Sequence, residues 1–472
     1  MRKTKIIATI GPSSQDPEIL GQLIDAGMDC ARLNFSHGTL EEHGAVIDDI
    51  RRIAKDKGKI VGILQDLGGI KLRLGEFEGL KQLARGDTVC LAPEADSARP
   101  DIIPFPQPDV LRSLRPGNQV FISDGTVQLE VTESRDLEVT ALVRNGGILS
   151  SHKGVNLPGV SIDQPVLTAD DEIALKFGVE KEVDWVAVSF VRNAGDILYA
   201  REHLERLNSK ALVMAKMERG DGIDNLDSIL EEADGVMVAR GDMGVEIPME
   251  RVPIVQKEMV AKANEAAKIS VIATQMLRSM VTSPTPTRAE VSDISNAVLD
   301  GCDAIMLSDE TAVGQYPVET VRVADITIRE SEKIYPYFKD LSARGRTQAI
   351  ASAAGRLVRS LSSKAIVITS TGRAAFELSR YRPETDVLVF SHEDAVLSRL
   401  TLGWGLYPVG VVPPESDVAK MVSLLIQAAL DAKLVTEDDL VTIVHGFLPG
   451  VSGTTNTIQV LDLREFLGRR AI

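Results

Sequence analysis

Short apolar runs rich in β-branched residues recur along the chain, and each is followed by polar or glycine residues and then by a helix-like stretch of amphipathic spacing. This alternation predicts strands that are followed by helices. The runs are apolar on both faces, which is expected of a parallel sheet that helices cover. Eight such strands are predicted, at residues 5–10, 30–35, 60–66, 185–191, 212–217, 235–239, 271–274 and 304–307. Their number favours an α/β fold of the (β/α)8 TIM barrel type, in which reactive groups follow the strands.

The interval between residues 66 and 185 is too long for a single crossover. It contains predicted strands at residues 87–92, 118–123, 127–131 and 137–143, with Asp124 and Gly125 in a hairpin turn. After a turn at residues 335–337, strands and helices alternate again. We therefore expect a barrel domain at residues 1–73 and 159–340, an inserted small β domain at 74–158, and a C-terminal α/β domain at 345–472.

Composition narrows the class of protein. Of the 472 residues, 44% are hydrophobic and 25% are charged, as in ordinary globular proteins. Lys and Arg number 52 against 68 Asp and Glu, and the resulting net charge of −16 disfavours nucleic acid as a partner. The three cysteines form no CxxC pair, and no apolar run is long enough for a signal core or a membrane span. We expect a cytoplasmic protein that has no membrane contact.

Charged and hydroxyl side chains follow most of the predicted barrel strands, and the carboxyl ends of these strands meet at one rim. Carboxylates without nearby His or Cys suit Mg²⁺ or Mn²⁺, and Arg and Lys beside them suit a phosphate. The set predicts phosphoryl transfer. Its members are Arg32, Asn34, Ser36, His37, Asp66, Lys71, Arg73, Lys216, Glu218, Arg240, Asp242, Thr274, Ser308, Asp309 and Glu310.

Several of these residues also have an ordinary structural interpretation. Lys216 and Glu218 share one face of a strand, so a plain salt bridge is an alternative to a metal and phosphate pair. Asp242 could cap a helix, and Thr274 and Ser308 are of a type common in caps and turns. His37 is expected to cap the following helix and is given no role as a base.

Six segments together resemble the pyruvate kinase family, and the resemblance extends over essentially the whole chain. They are RKTKIIATIGPSS at residues 2–14, GMDCARLNFSHG at 27–38, MVARGDMGVEIP at 237–248, ATQML at 273–277, PTRAEVSD at 286–293 and NAVLDG at 296–301. The resemblance implies a catalytic (β/α)8 barrel, a small β-barrel lid domain inserted after the third strand, at residues 74–158, and a C-terminal α/β regulatory domain. It also implies that phosphoenolpyruvate and ADP are converted to pyruvate and ATP, in a homotetramer with a phosphorylated allosteric effector.

The resemblance further implies roles for individual residues. Glu218 and Asp242 would bind Mg²⁺, Lys216 would stabilise the phosphoryl group in flight, and Arg32 would hold the substrate phosphate. The substrate carboxylate would meet the backbone amides of Gly241 and Asp242 and the Thr274 hydroxyl, and Thr274 or Ser308 would help to protonate the enolate. Asn34, His37 and Arg73 would contact the nucleotide, and Asp163 would contact the lid.

Some positions depart from the family pattern. Asn193 stands where many members have a basic residue, which leaves the nucleotide contact open, with Arg192 as a substitute. Asp309 adds a carboxylate of unknown effect, and residues 65–73 differ from the commoner form.

The departure at residues 65–73 concerns potassium. Members that require K⁺ hold it through oxygens corresponding to Asn34, Ser36, Asp66 and the Leu67 carbonyl, with a Glu nearby. Here Lys71 takes the place of that Glu, and its ammonium would replace the ion. The resemblance therefore predicts an enzyme that does not need K⁺, unless Lys71 points into solvent.

A candidate effector site follows a predicted strand of the C-terminal domain. The loop of Thr369, Ser370, Thr371, Gly372 and Arg373 offers hydroxyls and N–H groups ahead of a helix, and it is expected to cradle a phosphate. Residues 446–456 resemble the effector loop of the family but lack its Trp and later Arg, so the effector stays open. Ordinary strand-to-helix turns remain the alternative.

Two other functions fit parts of this pattern. A carbon–carbon lyase on a similar barrel would share a Mg²⁺-bound enolate, but the inserted domain and Arg73 count against it. A catalytically silent metabolite sensor is disfavoured because all the expected catalytic positions are filled.

Overall fold

The computed structural model describes residues 1–96, 98–160, 164–446 and 455–468. Eight parallel strands close into a barrel in which the eighth strand pairs with the first. The predicted TIM barrel is therefore confirmed. In chain order the barrel strands are Lys5–Thr9, Cys30–Asn34, Gly62–Asp66, Trp185–Val188, Leu212–Met217, Gly235–Ala239, Ile269–Ala273 and Ala304–Leu307.

Helices surround the barrel, and several begin at side chains that satisfy their first N–H groups. Thr39 and Glu42 form a capping box at the helix that starts at Leu40. The expectation that His37 caps this helix is therefore wrong. The helices are Pro17–Ala26, Leu40–Asp56, Ala169–Glu180, Ala194–Arg206, Gly220–Asp224, Leu226–Glu232, Arg240–Glu246, Val252–Glu265, Arg288–Asp300, Asp309–Ala312 and Pro317–Glu332, with 3-10 turns at Met249–Arg251 and Arg278–Val281.

An aspartate directly precedes each even-numbered barrel strand. Its carboxylate accepts the backbone N–H of the second residue in the preceding strand, and so satisfies a donor at the amino end of the barrel. The same contact thus recurs in each successive pair of strands. The pairs are Asp29 with Ile6, Asp184 with Ile63, Asp234 with Val213 and Asp303 with Ser270, at 2.8, 2.8, 2.9 and 2.9 Å.

The inserted segment forms a six-stranded sheet and a two-stranded sheet over its own apolar core. Its described strands are not joined into one closed barrel, which differs from the β-barrel lid that the family resemblance implied. Asp124 and Gly125 lie in the expected turn, both at positive φ. The strands are Lys81–Leu83, Thr88–Ala92, Ile102–Pro104, Gln119–Ile122, Val127–Arg135, Glu138–Asn145, Gly147–Leu149 and Val155–Asn156, and the helix is Pro108–Ser113.

The C-terminal domain has a five-stranded sheet between helices, with one antiparallel edge strand. Its strands are Lys364–Ile368, Val387–Ser391, Leu406–Val411, Leu440–Gly446 and Thr455–Asp462. Its helices are Arg346–Leu361, Arg373–Ser379, Asp394–Arg399, Val418–Asp431 and Leu463–Gly468, with a 3-10 turn at Leu400–Leu402. Within the described ranges no helix is long and apolar enough to cross a membrane.

The C-terminal domain closes the amino end of the barrel. Leu402 packs among inward-facing barrel residues such as Ile7 and Trp185. Beside it, the buried Arg382 pairs with Asp303 at 3.0 Å and its guanidinium lies 5.0 Å from the Trp404 ring centroid. The opposite, carboxyl end of the barrel faces the inserted domain, and the polar residues of the strand ends are found there.

Candidate active site

A cleft of about 600 Å³ separates the carboxyl ends of the barrel strands from the inserted domain. Most of the charged and polar residues predicted from the strand ends line it. On the barrel side these are Arg32, Asn34, Ser36, Lys71, Arg73, Lys216, Glu218 and Asp242. The structure thus brings together residues that are far apart in the chain, such as Arg32 and Asp242.

Lys216 lies at the centre of this group, near the end of the fifth barrel strand. Its Nζ donates to Ser189 Oγ at 2.7 Å and lies 3.1 Å from both Asp66 Oδ1 and Glu218 Oε1. Burial by itself lowers the pKa of Lys216, but the two carboxylates outweigh it and raise the pKa above the usual lysine value. The ammonium therefore stays charged although the Lys216 side chain is largely buried.

Asp66 forms ion pairs with two cationic side chains of the cleft, Arg32 and Lys216. It is fully buried, and its Oδ2 accepts from Arg32 Nε at 2.7 Å while its Oδ1 faces Lys216. Burial raises the pKa of Asp66, but the charges of Lys216 and Arg32 oppose this and leave the pKa below its usual value. Arg32 also donates to Thr9 Oγ1 at 3.0 Å. Both cations are thus oriented before any substrate binds.

Glu218 and Asp242 provide the carboxylates of the site. Glu218 is 2% exposed, and its Oε2 accepts from the backbone N–H of Phe190 at 2.8 Å. Burial raises the pKa of Asp242 to about 6, and the negative charge of Glu218 contributes to this rise. No cluster of three or more His, Cys, Asp or Glu side chains suited to a metal occurs in the described ranges. Two hard oxygen donors suit Mg²⁺, which commonly takes its other ligands from water and substrate phosphates.

Lys71 extends toward the second barrel strand. Although its side chain is exposed, its Nζ donates to Ser36 Oγ at 2.9 Å, and the Ser36 N–H donates to Asn34 Oδ1 at 3.2 Å. Partial removal from water lowers the pKa of Lys71, and the charges of Lys216 and Arg73 lower it further. The Leu67 carbonyl accepts from Ser189 Oγ at 2.7 Å. The ammonium therefore contacts a hydroxyl just beyond the end of the second strand, although the Lys71 side chain is otherwise exposed.

Thr274 and Gly241 line a second cavity of about 860 Å³, which shares Asp242 with the main cleft. A Cβ at Gly241 would lie 2.9 Å from Thr274 Cγ2, so this close approach requires glycine. Ser308 is not among the described residues that line either cavity, and its N–H donates to Glu310 Oε2 at 2.7 Å. Asp309 pairs with Arg278 at 2.8 Å.

Only some of the residues predicted to contact the nucleotide line the cleft. Arg73 lines the cleft and donates to the His152 carbonyl at 3.0 Å. Arg192 also lines the cleft, but its guanidinium pairs with Asp196 at 2.7 Å. His37 is exposed and is absent from the described lining of the cleft, and its carbonyl accepts from His43 Nε2 at 2.8 Å.

Some predicted residues lie elsewhere or outside the described ranges. The loop from Thr369 to Arg373 follows a strand of the C-terminal domain, and there the Gly372 N–H donates to Thr369 Oγ1 at 3.0 Å. Asp163 and most of the loop at residues 446–456 lie outside the described residues.

Sequence reasoning missed Ser189, which contacts both Lys216 and the Leu67 carbonyl. The signal was present, because Ser189 directly follows the fourth barrel strand. The predicted strand continued to residue 191, whereas the backbone leaves the strand and reaches a φ of 56° at Phe190.

Comparison with known proteins agrees with this architecture. Residues 1–321 match the family model described as pyruvate kinase, barrel domain, and residues 348–461 match pyruvate kinase, alpha/beta domain. The pyruvate kinase of Sporosarcina psychrophila is 41% identical over 481 residues, which cover 99% of this chain and 82% of the relative. That of Bacillus licheniformis is 43% identical with the same coverage, and pyruvate kinase 2 of Synechocystis is 42% identical over 99% of this chain and 80% of the relative. The chain therefore belongs to the pyruvate kinase family, and it is a phosphotransferase.

Proposed function

We propose that this phosphotransferase moves the phosphoryl group of phosphoenolpyruvate to ADP and releases pyruvate and ATP, as a step of glycolysis. The observation that carries the proposal is the ammonium of Lys216, which lies within 3.1 Å of Asp66 and Glu218 at the rim of a cleft. A cation that is held in place by two carboxylates and largely buried is suited to stabilise charge on a phosphoryl group in transfer. Formation of ATP from phosphoenolpyruvate and ADP in a coupled assay tests the proposal.

In this reaction the bond between phosphorus and the enol oxygen breaks, and a terminal oxygen of ADP forms the new bond to phosphorus. Arg32 holds the phosphate, and Lys216 faces the phosphoryl group as it moves. The enolate that remains takes a proton at its methylene carbon and becomes pyruvate. We assign the carboxylate contact to Thr274 and the amides of Gly241 and Asp242, and we favour Thr274 over Ser308 for the proton relay because it borders the same cavity as Asp242.

Glu218 and Asp242 are the proposed ligands of Mg²⁺, or of Mn²⁺ in its place. When bound, the ion would neutralise phosphate charge. Both carboxylates line the same cleft, where burial and then the charge of Glu218 raise the pKa of Asp242, so a divalent cation bound there would relieve their repulsion.

The metal assignment predicts that Glu218→Gln and Asp242→Asn each raise the Mg²⁺ concentration needed for half-maximal activity by about tenfold or more. The direct measurement is Mn²⁺ binding by electron paramagnetic resonance, which does not depend on turnover. Asp309→Asn is the matched control, because Asp309 lies on the same rim but is paired with Arg278. Unchanged Mn²⁺ binding in both variants would contradict the assignment.

The inserted domain and Arg73 are proposed to form the side of the site that faces the barrel. Closure of this domain over the cleft would exclude water from the phosphoryl group and limit hydrolysis. Arg73 and Asn34 are the proposed contacts for the nucleotide phosphates, and Lys71 is proposed to replace a monovalent cation, so that K⁺ is not required.

We further propose a homotetramer in which a phosphorylated metabolite binds the loop from Thr369 to Arg373. The loop follows a buried strand, and the exposed Arg373 offers a cation. Titration with sugar phosphates and nucleoside monophosphates is expected to shift the phosphoenolpyruvate saturation curve to lower concentration, and Arg373→Met should weaken that shift. Saturation curves and melting temperatures that no such compound moves would contradict the effector site.

A further inference from the structure

The loop that carries Thr274 has an unusual backbone. Thr274 has a φ of 76° and Gln275 a φ of 58°, so two consecutive residues that are not glycine occupy the left-handed region. A positive φ is a genuine outlier for a β-branched residue such as threonine, and it persists only where the surroundings enforce it. Something outside this loop must therefore hold the turn.

Arg240 is the side chain that reaches it. Arg240 begins the helix after the sixth barrel strand, is 16% exposed, and crosses to the end of the seventh strand. Its Nη2 donates to the Thr274 carbonyl at 2.7 Å, and its Nε donates to the Ala273 carbonyl at 3.1 Å. One planar guanidinium thus fixes two successive carbonyls at the point where the strand ends and the strained turn begins.

The guanidinium is itself held on its far side. Its Nη1 donates to the carboxylate of Asp293 at 2.8 Å, on the helix Arg288–Asp300. On the near side, the Thr274 methyl group packs against Gly241. A side chain at position 241 would place its Cβ 2.9 Å from that methyl carbon, which is too close. Thr274 is therefore confined by Arg240 through its carbonyl and by Gly241 through its side chain.

We infer that Arg240 is a positioning residue that fixes the Thr274 hydroxyl by clamping the left-handed turn. The inference rests on the proposed contact of Thr274 with the substrate carboxylate. A lysine at position 240 keeps the charge but loses the fork that spans two carbonyls. A displacement of about 1 Å at a substrate contact can lower a rate by about a hundredfold.

The kinetic test is a cycle of Arg240→Lys, Thr274→Ala and the double variant. We expect Arg240→Lys to lower kcat/KM for phosphoenolpyruvate by about 10-fold to 100-fold, with an unchanged KM for ADP and a melting temperature close to that of the unmodified protein. In the Thr274→Ala background the same change should lower kcat/KM by less than about twofold, because residues that act through one another are not additive. Arg278→Lys, an exposed arginine nearby, should change neither constant.

The structural test is a crystal structure of Arg240→Lys, in which Thr274 and Gln275 are expected to leave the left-handed region. It does not depend on turnover, so it separates this inference from the assignment of the reaction. Retention of both positive φ values in the variant would overturn the clamp. Additive losses in the cycle, or an Arg240→Lys enzyme with unchanged kcat/KM for phosphoenolpyruvate, would also overturn it.

Discussion

Replacement of Lys216 with methionine is expected to lower the rate of phosphoryl transfer by about a thousandfold or more, because the variant loses a cation that acts on transition-state charge. Methionine is similar in length to lysine but has no ammonium, so Asp66 and Glu218 lose their common partner. Asp66 still has Arg32 at 2.7 Å, which preserves one of its ion pairs. We therefore expect the variant to fold and to bind phosphoenolpyruvate.

The measurement is single-turnover formation of ATP, together with calorimetric binding of phosphoenolpyruvate and a melting temperature. Lys55→Met is the matched control, because Lys55 is exposed on a helix outside the barrel. A turnover close to that of the unmodified enzyme in a folded Lys216→Met variant would remove Lys216 from the mechanism.

The Lys71→Glu variant is expected to lose most of its activity in buffer free of potassium and to regain part of it when K⁺ is added. Lys71 places a positive charge 2.9 Å from Ser36 Oγ. The charges of Asp66 and Lys216 are close enough to act on it. Partial burial lowers the pKa of Lys71, and the charges of Lys216 and Arg73 lower it further. A further monovalent cation beside these three positive charges would be repelled. A glutamate would reverse this balance and leave a negative charge that an added cation can neutralise.

The comparison uses tetramethylammonium and potassium chloride at equal ionic strength, for the unmodified enzyme and for Lys71→Glu. The unmodified enzyme should change little between the two salts. Lys55→Glu makes the same change of charge far from the cleft and should behave like the unmodified enzyme. Activation of the unmodified enzyme by K⁺ of more than about tenfold, or about 1.4 kcal/mol of barrier, would show that Lys71 does not replace the ion.

The barrel could be predicted from sequence because its strands are buried on both faces and read as continuous apolar runs. Short or edge strands carry no such pattern. The strand Lys81–Leu83 is too short to alternate, and Leu406–Val411 includes Pro408 and half-exposed positions. The sequence pattern therefore predicts neither strand.

Sequence could predict which strand ends carry the residues of the candidate site, but not which of those side chains pair with one another. Sequence placed Asp66 among oxygens that hold an ion, whereas the structure pairs it with Arg32 and Lys216, which belong to two other strands. Arg240 was placed on the correct rim, yet its contacts with the turn at Thr274 depend on how neighbouring strands are aligned. Such contacts between distant segments are set by the packing of the barrel, which no local pattern records.

Phosphorus NMR of the unmodified enzyme with phosphoenolpyruvate, ADP and Mg²⁺ tests the central assignment most directly, because it follows every phosphorus atom in the mixture. We expect the phosphoenolpyruvate resonance to fall as the three resonances of ATP rise in equal amount, and we expect no conversion when Mg²⁺ is chelated. Release of inorganic phosphate without ATP, or an unchanged phosphoenolpyruvate resonance with Mg²⁺ present, would contradict transfer of the phosphoryl group to ADP at this site.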